Sequence, residues 1–318
     1  VIAAVVVTYN RLGKLKRCLA ALAAQVAKVD VAVVIDNAST DGTAAYLREP
    51  RDDGLRLKVI RSTRNVGGAG GFAKGMEVAY RAGADWLWLM DDDTIPEPDA
   101  LAELLAADAR LGGRTGFLAS VPVWTDGKPH PMNAPGALFR NRREQALCHR
   151  CLPLGCLPVR NATFVSILFR RGYVRRHGLP VAEFFIWSDD VEYTLRGAGR
   201  ELQVVVPASR VLHDTAALHT HRDAPPRRFY FHVRNSLWQV RINRTLNRRQ
   251  KFVFALGHLF AIWPYLRRRM ASPIELAEAL RWIGGGVLHA IAGGGRIAAL
   301  ARGARQRFRQ PTGEALSR

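Results

Sequence analysis

The stretch Trp86-Leu87-Trp88-Leu89-Met90-Asp91-Asp92-Asp93-Thr94 constrains everything else in the chain. A continuous apolar run of this kind reads as a strand buried on both faces, the mark of a parallel sheet. It ends abruptly in three carboxylates, and ligands of open α/β sheets collect outside the carboxyl ends of the strands. Three adjacent acids repel one another and need a partner. A hard divalent cation, Mg²⁺ or Mn²⁺, takes carboxylate oxygens and bridges them to substrate phosphates. A solvated acidic turn at the start of the next helix explains the same residues, and this segment alone leaves both readings standing.

Residues 1–7 are a second apolar strand, followed by Thr8-Tyr9-Asn10-Arg11. No signal peptide is read there. Leu12, Leu15, Leu19, Leu22 and Val26 recur at helical spacing, and residues 31–35 form a third apolar strand ending in Asp36-Asn37-Ala38-Ser39-Thr40-Asp41-Gly42. Strand, turn, helix, strand is a βαβ unit and predicts a parallel sheet. Thr8, Asn10, Asp36 and Asn37 then share one rim. An acid after the second strand suits the ribose of a nucleoside, although Asp, Asn, Ser and Gly also make ordinary turns. After a strand at 57–60, Asn65-Val66-Gly67-Gly68-Ala69-Gly70-Gly71 lets backbone approach a ligand closely. It is neither a Walker loop nor a dinucleotide fingerprint. A helix over 72–81 leads into the opening strand.

Pro96, Pro98 and Asp99 announce a helix to about residue 109, and 117–123 reads as a strand. Residues 124–158, rich in Pro, Gly, Arg and Asn, read as a long, partly irregular insertion of the kind that touches substrate. Strand character returns at 163–169 and 202–206. Between these, Phe184-Phe185-Ile186-Trp187 precedes Ser188-Asp189-Asp190-Val191-Glu192. Ser188 is a natural helix N-cap with Asp189 and Asp190 in the first turn. The same placement projects a carboxylate base into a cleft beside Trp187. Glu192 and Arg196 stand four apart, the spacing of a helical ion pair. His213 ends the segment after the last strand, which returns it to the same rim.

Lys and Arg number 47 against 27 Asp and Glu, for a formal net charge of +20. That excess predicts an anionic partner. A sequence-independent nucleic-acid binder needs a basic groove with stacking aromatics. Here the rim carries acids and the basic excess gathers in the C-terminal third, which argues against nucleic acid. Residues 225–318 read as a second region: a basic aromatic helix over 227–249 containing Tyr230, Arg234, Asn235 and Trp238, an apolar stretch over 252–266, then Arg267-Arg268-Arg269, an amphipathic segment over 274–283 and a Gly-, Ala- and Arg-rich tail. The apolar stretch is shorter than the roughly 20 residues of a spanning helix. An apolar face bordered by Arg is the physics of a helix lying on an anionic membrane. Of the four cysteines, Cys18 reads as a small buried hydrophobe. Cys148, Cys151 and Cys156 lack the second half of a zinc pattern and read as an ordinary loop.

Taken in order, Thr8 to Arg11, Asp36 to Gly42, Asn65 to Gly68, the triple aspartate, Trp187 to Tyr193 and His213 resemble the family-2, GT-A-fold glycosyltransferases over about residues 1–240. Residues 65–72, 86–93 and 185–193 are most similar to the galactofuranosyltransferases of cell-wall galactan, with rhamnosyltransferases next. Tyr230 to Asn235 is similar to an aromatic-x-x-x-Arg-Asn element that follows the catalytic core in those enzymes. The resemblance implies a Rossmann-like, mostly parallel sheet flanked by helices over 1–224, with a C-terminal helical extension over 225–318. It implies a metal-dependent inverting transfer from a nucleotide-diphosphate sugar, UDP-galactofuranose first and dTDP-rhamnose second. The implied acceptor is a polyprenyl-diphosphate-linked glycan, and the implied location is cytoplasmic, peripheral on the inner face of the plasma membrane. Carried over by position, Asp36 and Asn37 hold the nucleoside with Thr8 and Asn10 nearby. Asp91, Asp93 and His213 bind Mn²⁺ or Mg²⁺, and Asp92 faces the ribose. Asp190 is the base, with Asp189 as fallback. Arg11, Asn65, Gly67, Gly68, Trp187 and Arg234 complete the donor side. Ser188, inserted between Trp187 and the acids, departs from the galactofuranosyltransferase pattern. A nucleotidyltransferase shares such a nucleotide-binding half but releases pyrophosphate. Whether the chain forms oligomers is open.

Overall fold

The apolar runs at 1–7, 31–35 and 86–90 lie side by side as parallel strands, because runs without alternation must be covered on both faces. A computed structural model describes residues 1–137, 141–218 and 223–308. Its elements in the first half of the chain are β1 (Ile2–Thr8), α1 (Leu12–Ala23), β2 (Val31–Asp36), α2 (Thr43–Tyr46), β3 (Leu57–Arg61), α3 (Gly67–Arg81), β4 (Trp86–Asp91), β5 (Thr94–Pro96), α4 (Ala100–Arg110), β6 (Thr115–Val123) and β7 (Gly136–Ala137). The second half gives α5 (Arg142–Cys151), β8 (Leu157–Asn161), β9 (Ile167–Arg170), α6 (Arg171–His177), α7 (Asp189–Leu195), β10 (Leu202–His213), α8 (Pro226–Ile242), α9 (Arg248–Arg267), α10 (Pro273–Ala292) and α11 (Gly294–Gln306).

The sheet runs in the order β3-β2-β1-β4-β9-β6-β10-β8-β7, with β5 paired to β10. Strands β3, β2, β1 and β4 are mutually parallel, β9 runs antiparallel between β4 and β6, and β6 is parallel to β10. Alternate side chains of β1 serve opposite faces. Ala4 and Val6 join Leu15, Leu19, Leu101 and Trp88 on one side. Ala3, Val5 and Val7 join Phe72, Met76, Phe117 and Phe169 on the other.

Several boundaries differ from the sequence reading. The helix expected at 72 begins at Gly67. Its glycines serve the sheet: a Cβ on Gly71 would lie 2.5 Å from Val7 Cγ1, and one on Gly75 would lie 2.4 Å from Val5 Cγ1. The described part of residues 124–158 is more regular than expected, since it holds β7, α5 and the start of β8. The basic helix ends at Ile242, and a capping box at Asn247 and Gln250 starts α9 anew. The tail to residue 306 is helical as α11. The C-terminal helices share a core with the rest, where Trp238, Ile242, Ala290, Ile297 and Ala301 meet Ala69, Val181 and Phe184.

Candidate active site at the carboxyl rim of the sheet

Strand register brings the first acids together. Thr8 lies opposite Asp36, and Val7 lies opposite Asp91. After Asp93 the chain runs on as β5, which pairs antiparallel with the end of β10 and sets Thr94 opposite His213. The Asp214 N–H donates to the Asp93 carbonyl at 2.8 Å. As a result one ligand atom each from Asp91, Asp93 and His213 lie within 4.8 Å of one another, the one such group among the described residues. His213 Nε2 is 3.5 Å from Asp93 Oδ1.

The other ring nitrogen, Nδ1, is 2.9 Å from Asn133 Oδ1, while the Asn133 amide nitrogen donates to Thr163 Oγ1 at 3.0 Å. The amide oxygen therefore faces the ring and accepts from Nδ1, which leaves Nε2 turned toward the carboxylates. An outer partner that fixes the ring in this way is what a metal-binding histidine requires. Charge makes the same case. Burial, then Asp93 and Asp92, push Asp91 well above the usual carboxylate range. Burial lifts Asp92 to about 6 against the pull of Arg11. Asp93 is buried too, yet His213 and Arg11 hold it below its ordinary value. The cluster has more negative charge than Arg11 alone offsets, so the donor set fits a divalent cation.

Arg11, expected at the donor, grips the acids. Its Nη1 lies 2.6 Å from Asp93 Oδ2 and 3.3 Å from Asp92 Oδ1. Thr8 Oγ1 donates to Asp92 Oδ2 at 2.8 Å, so Asp92 is turned inward onto β1. Asp36 accepts from the Ser39 N–H at 2.8 Å, and Asn37 donates to the Gly67 carbonyl at 3.1 Å. Each keeps one buried oxygen without a hydrogen-bond partner among the described residues. Asn10 Oδ1 accepts from the Thr40 N–H at 2.7 Å and stitches two rim loops together. Asn65 Oδ1 accepts from the Gly67 N–H at 2.8 Å, a local turn just before α3. Gly68 has open space where a side chain would stand.

The loop before α7 is strained. Phe185, Trp187 and Ser188 have φ of 64°, 66° and 71°, and Asn10 and Ala38 share the left-handed region. All five sit beside the acids, where strain is expected of a working site. Ser188 stands at the N-cap position with Asp189 and Asp190 in the first turn, as expected, but it takes the left-handed conformation and its side chain makes no capping bond. Helix α8 holds the loop from behind. Asn235 Nδ2 lies 2.9, 2.8 and 3.0 Å from the carbonyl oxygens of Phe184, Ile186 and Trp187. Gln239 Nε2 donates to the Ser188 carbonyl at 2.7 Å. Arg234, expected to touch the donor, donates to the Glu183 and Phe184 carbonyls and lies 4.2 Å over the Trp238 ring. Gly67 makes room on the other side, since a Cβ there would come within 2.0 Å of the Phe185 oxygen.

The loop delivers two carboxylates. Burial first, and Asp190 second, push Asp189 up to about 8. Burial pushes Asp190 up to about 6, opposed by the Val191 N–H, which donates to Asp190 Oδ1 at 2.7 Å. The charge of Asp189 also adds to the upward push on Asp91. Sequence reasoning missed Arg228. It lies 5.4 Å from the Trp187 ring centre, and burial, then repulsion from Arg11, lower its pKa. It also missed Asn133 and Gln239. A cavity of about 200 Å³ adjoins the site, lined by His130, Asn133, Ala162, Thr163 and Ser166. Cys148, Cys151 and Cys156 are buried and form no disulfide.

Residues 3–178 match the family model described as Glycosyl transferase family 2. Galactofuranosyltransferase GlfT1 of Mycobacterium tuberculosis is 34% identical over 195 residues, which is 59% of this chain and 62% of that protein. The Mycolicibacterium smegmatis protein of the same name is 33% identical over 198 residues, 60% of this chain and 63% of its own. The chain thus spans less than two thirds of the length of these curated relatives. Among solved structures, S. aureus TarS in complex with UDP-GlcNAc aligns with a TM-score of 0.59 at 18% identity, covering 96% of this chain and 88% of that one. The mannosyltransferase PcManGT from Pyrobaculum calidifontis, in complex with GDP-Man and Mn²⁺, gives 0.54 at 18% identity, covering 96% and 86%. At such identities these structures speak for the fold alone.

Proposed function

The chain belongs to glycosyl transferase family 2, and from that premise we propose that it transfers galactofuranose from UDP-galactofuranose to a lipid-linked or polysaccharide acceptor, with inversion at the anomeric carbon. The observation that carries the reading is the meeting of Asp91, Asp93 and His213, drawn from distant parts of the chain. The choice of galactofuranose rests on the likeness to GlfT1. A polyprenyl-diphosphate-linked glycan is the acceptor class we favour.

Breaking the sugar–phosphate bond leaves a diphosphate on which negative charge develops. Asp91, Asp93 and His213 would hold Mn²⁺ or Mg²⁺, which when bound supplies a Lewis acid for that charge. Arg228 adds a guanidinium on the same rim; among the described residues no carboxylate pairs with it. Asn37 Oδ1 and Asp36 Oδ2, the latter 3.8 Å from Arg61 Nε, make no hydrogen bond among the described residues and can accept from a nucleoside. Asp190 takes the proton of the acceptor hydroxyl. A pKa of about 6 leaves it ionised at neutral pH and poised to act as a base. Asp189, pushed up to about 8, keeps its proton at neutral pH, which leaves the base role to Asp190. The cavity beside Asn133 is where the sugar ring is to be sought.

The test is a panel of nucleotide sugars with Mn²⁺, read by nucleoside-diphosphate release and by the configuration of the product. Turnover of UDP-galactofuranose with inversion supports the reading. Preference for dTDP-rhamnose, release of pyrophosphate or a product that retains the donor's configuration overturns it.

A further inference from the structure

Helix α9 has two unlike faces. Ala261 and Tyr265 are buried, Tyr265 stacks on Phe229 of α8 with ring centres 3.5 Å apart, and His258 Nδ1 is 3.0 Å from Ser236 Oγ. Phe252, Val253, Leu256, Leu259, Phe260 and Trp263 face outward, with Phe260 69% and Trp263 61% exposed. At 3.6 residues per turn these six fall within an arc of about 120°. Arg249 and Arg267 continue the same arc at its two ends, and both are exposed. No Asp or Glu occurs between Asp223 and Glu275.

We propose that this stripe is an interfacial docking surface for an anionic lipid bilayer. It offers carbon and no hydrogen-bonding group except the Trp263 indole, and its ends carry guanidinium groups suited to phosphate headgroups. Among the described residues no single helix is long and apolar enough to cross a membrane. Helix α9 has its inner face committed to α8, so it lies along the surface. A second copy of the chain is a poorer occupant, since it would set arginines against arginines in a protein of net charge +20. Such a surface would bring the enzyme to a membrane that carries a lipid-linked acceptor. It stands apart from the donor assignment, so either can fail without the other.

The experiment is flotation of the full chain with vesicles of phosphatidylcholine containing phosphatidylglycerol, or of phosphatidylcholine alone. The protein is expected to float with the anionic vesicles, less with the neutral ones, and less again in raised salt. Phe260→Ser combined with Trp263→Ser is expected to lower partitioning at least about tenfold and to leave UDP release in solution unchanged. Leu256→Ser with Leu259→Ser is a second pair should the first express poorly. Wild-type protein that stays with the dense fraction, or both pairs floating as wild type does, overturns the proposal. So does a dimer, seen by sedimentation, that the substitutions dissolve while vesicle binding is absent.

Discussion

Asn235→Ala asks whether α8 holds the loop that carries the proposed base in place. Phe185, Trp187 and Ser188 sit at φ of 64°, 66° and 71°, and side-chain-bearing residues held there cost of order 1–3 kcal/mol each. The three together store roughly 3–9 kcal/mol. Hydrogen bonds from α8 oppose that strain. Asn235 reaches the Phe184, Ile186 and Trp187 carbonyls, but an amide nitrogen has only two hydrogens, so three oxygens share them. Alanine removes both donors. Buried carbonyls left without one cost about 1–3 kcal/mol each, or about 2–6 kcal/mol for two. The two ledgers are of one size, so the loop relaxes while the sheet, which Asn235 does not touch, stands. A shift of about 1 Å at a reacting group costs on the order of 100-fold. We therefore expect kcat to fall about 100-fold or more, with calorimetric affinity for UDP held within about twofold. Gln239→Ala frees only the Ser188 carbonyl and should cost about tenfold. Wild-type kcat in a folded Asn235→Ala protein would refute the reasoning.

Asn133→Ala leaves the His213 ring without its outer partner and should weaken Mn²⁺ binding by about 10- to 100-fold by calorimetry; unchanged affinity removes Asn133 from the metal site. Asp190→Asn is expected to abolish turnover and spare donor binding, and wild-type kcat should rise with pH through about 6; lost donor affinity with preserved turnover counts against the base. The buried Asp189–Asp190 pair keeps protons in the folded protein that the unfolded chain has already released above about pH 4. More protons bound when folded means that stability falls as pH rises, here between about 4 and 8. Asp189→Asn should flatten that slope in metal-free thermal melts, and a slope equal to wild type would contradict the assignment.

The sheet was legible because buried parallel strands leave an unmistakable trace: 1–7, 31–35 and 86–90 carry no polar interruption. The triple aspartate was legible for the opposite reason, as an abrupt change of character. What the sequence hides is pairing between distant segments. His213 reaches Asp93 only because Thr94 pairs with it across β5 and β10, and no local pattern announces that. Asn133 is hidden in a segment that reads as irregular. Some residues mislead because one side chain serves two physical purposes. The glycines of α3 suit a ligand's approach and equally a helix pressed on Val5 and Val7. Ser188 has the chemistry of a cap, yet its backbone takes the left-handed conformation. Arg234 is a cation in a basic helix, and the structure spends it on backbone carbonyls.

The same hidden pairing ties the C-terminal helices to the helix that carries Asp189 and Asp190. Glu192, in the helix that carries Asp189 and Asp190, is fully buried between Arg196 of its own helix and Arg305 of α11. Burial alone would raise its pKa, and the two guanidinium groups more than offset this, holding it below the usual range. Arg305→Ala takes away one of them and the bond from Arg305 to the Ile242 carbonyl at 2.9 Å. Breaking a buried pair costs about 3 kcal/mol or more, whereas Arg307→Ala, two residues on, breaks a pair with Glu77 in which Arg307 is half exposed and should cost under about 1 kcal/mol. If α11 braces α7, only Arg305→Ala lowers both the melting temperature and kcat. Equal effects of the two substitutions on both readouts would mean that the helix end merely adds charge to the surface.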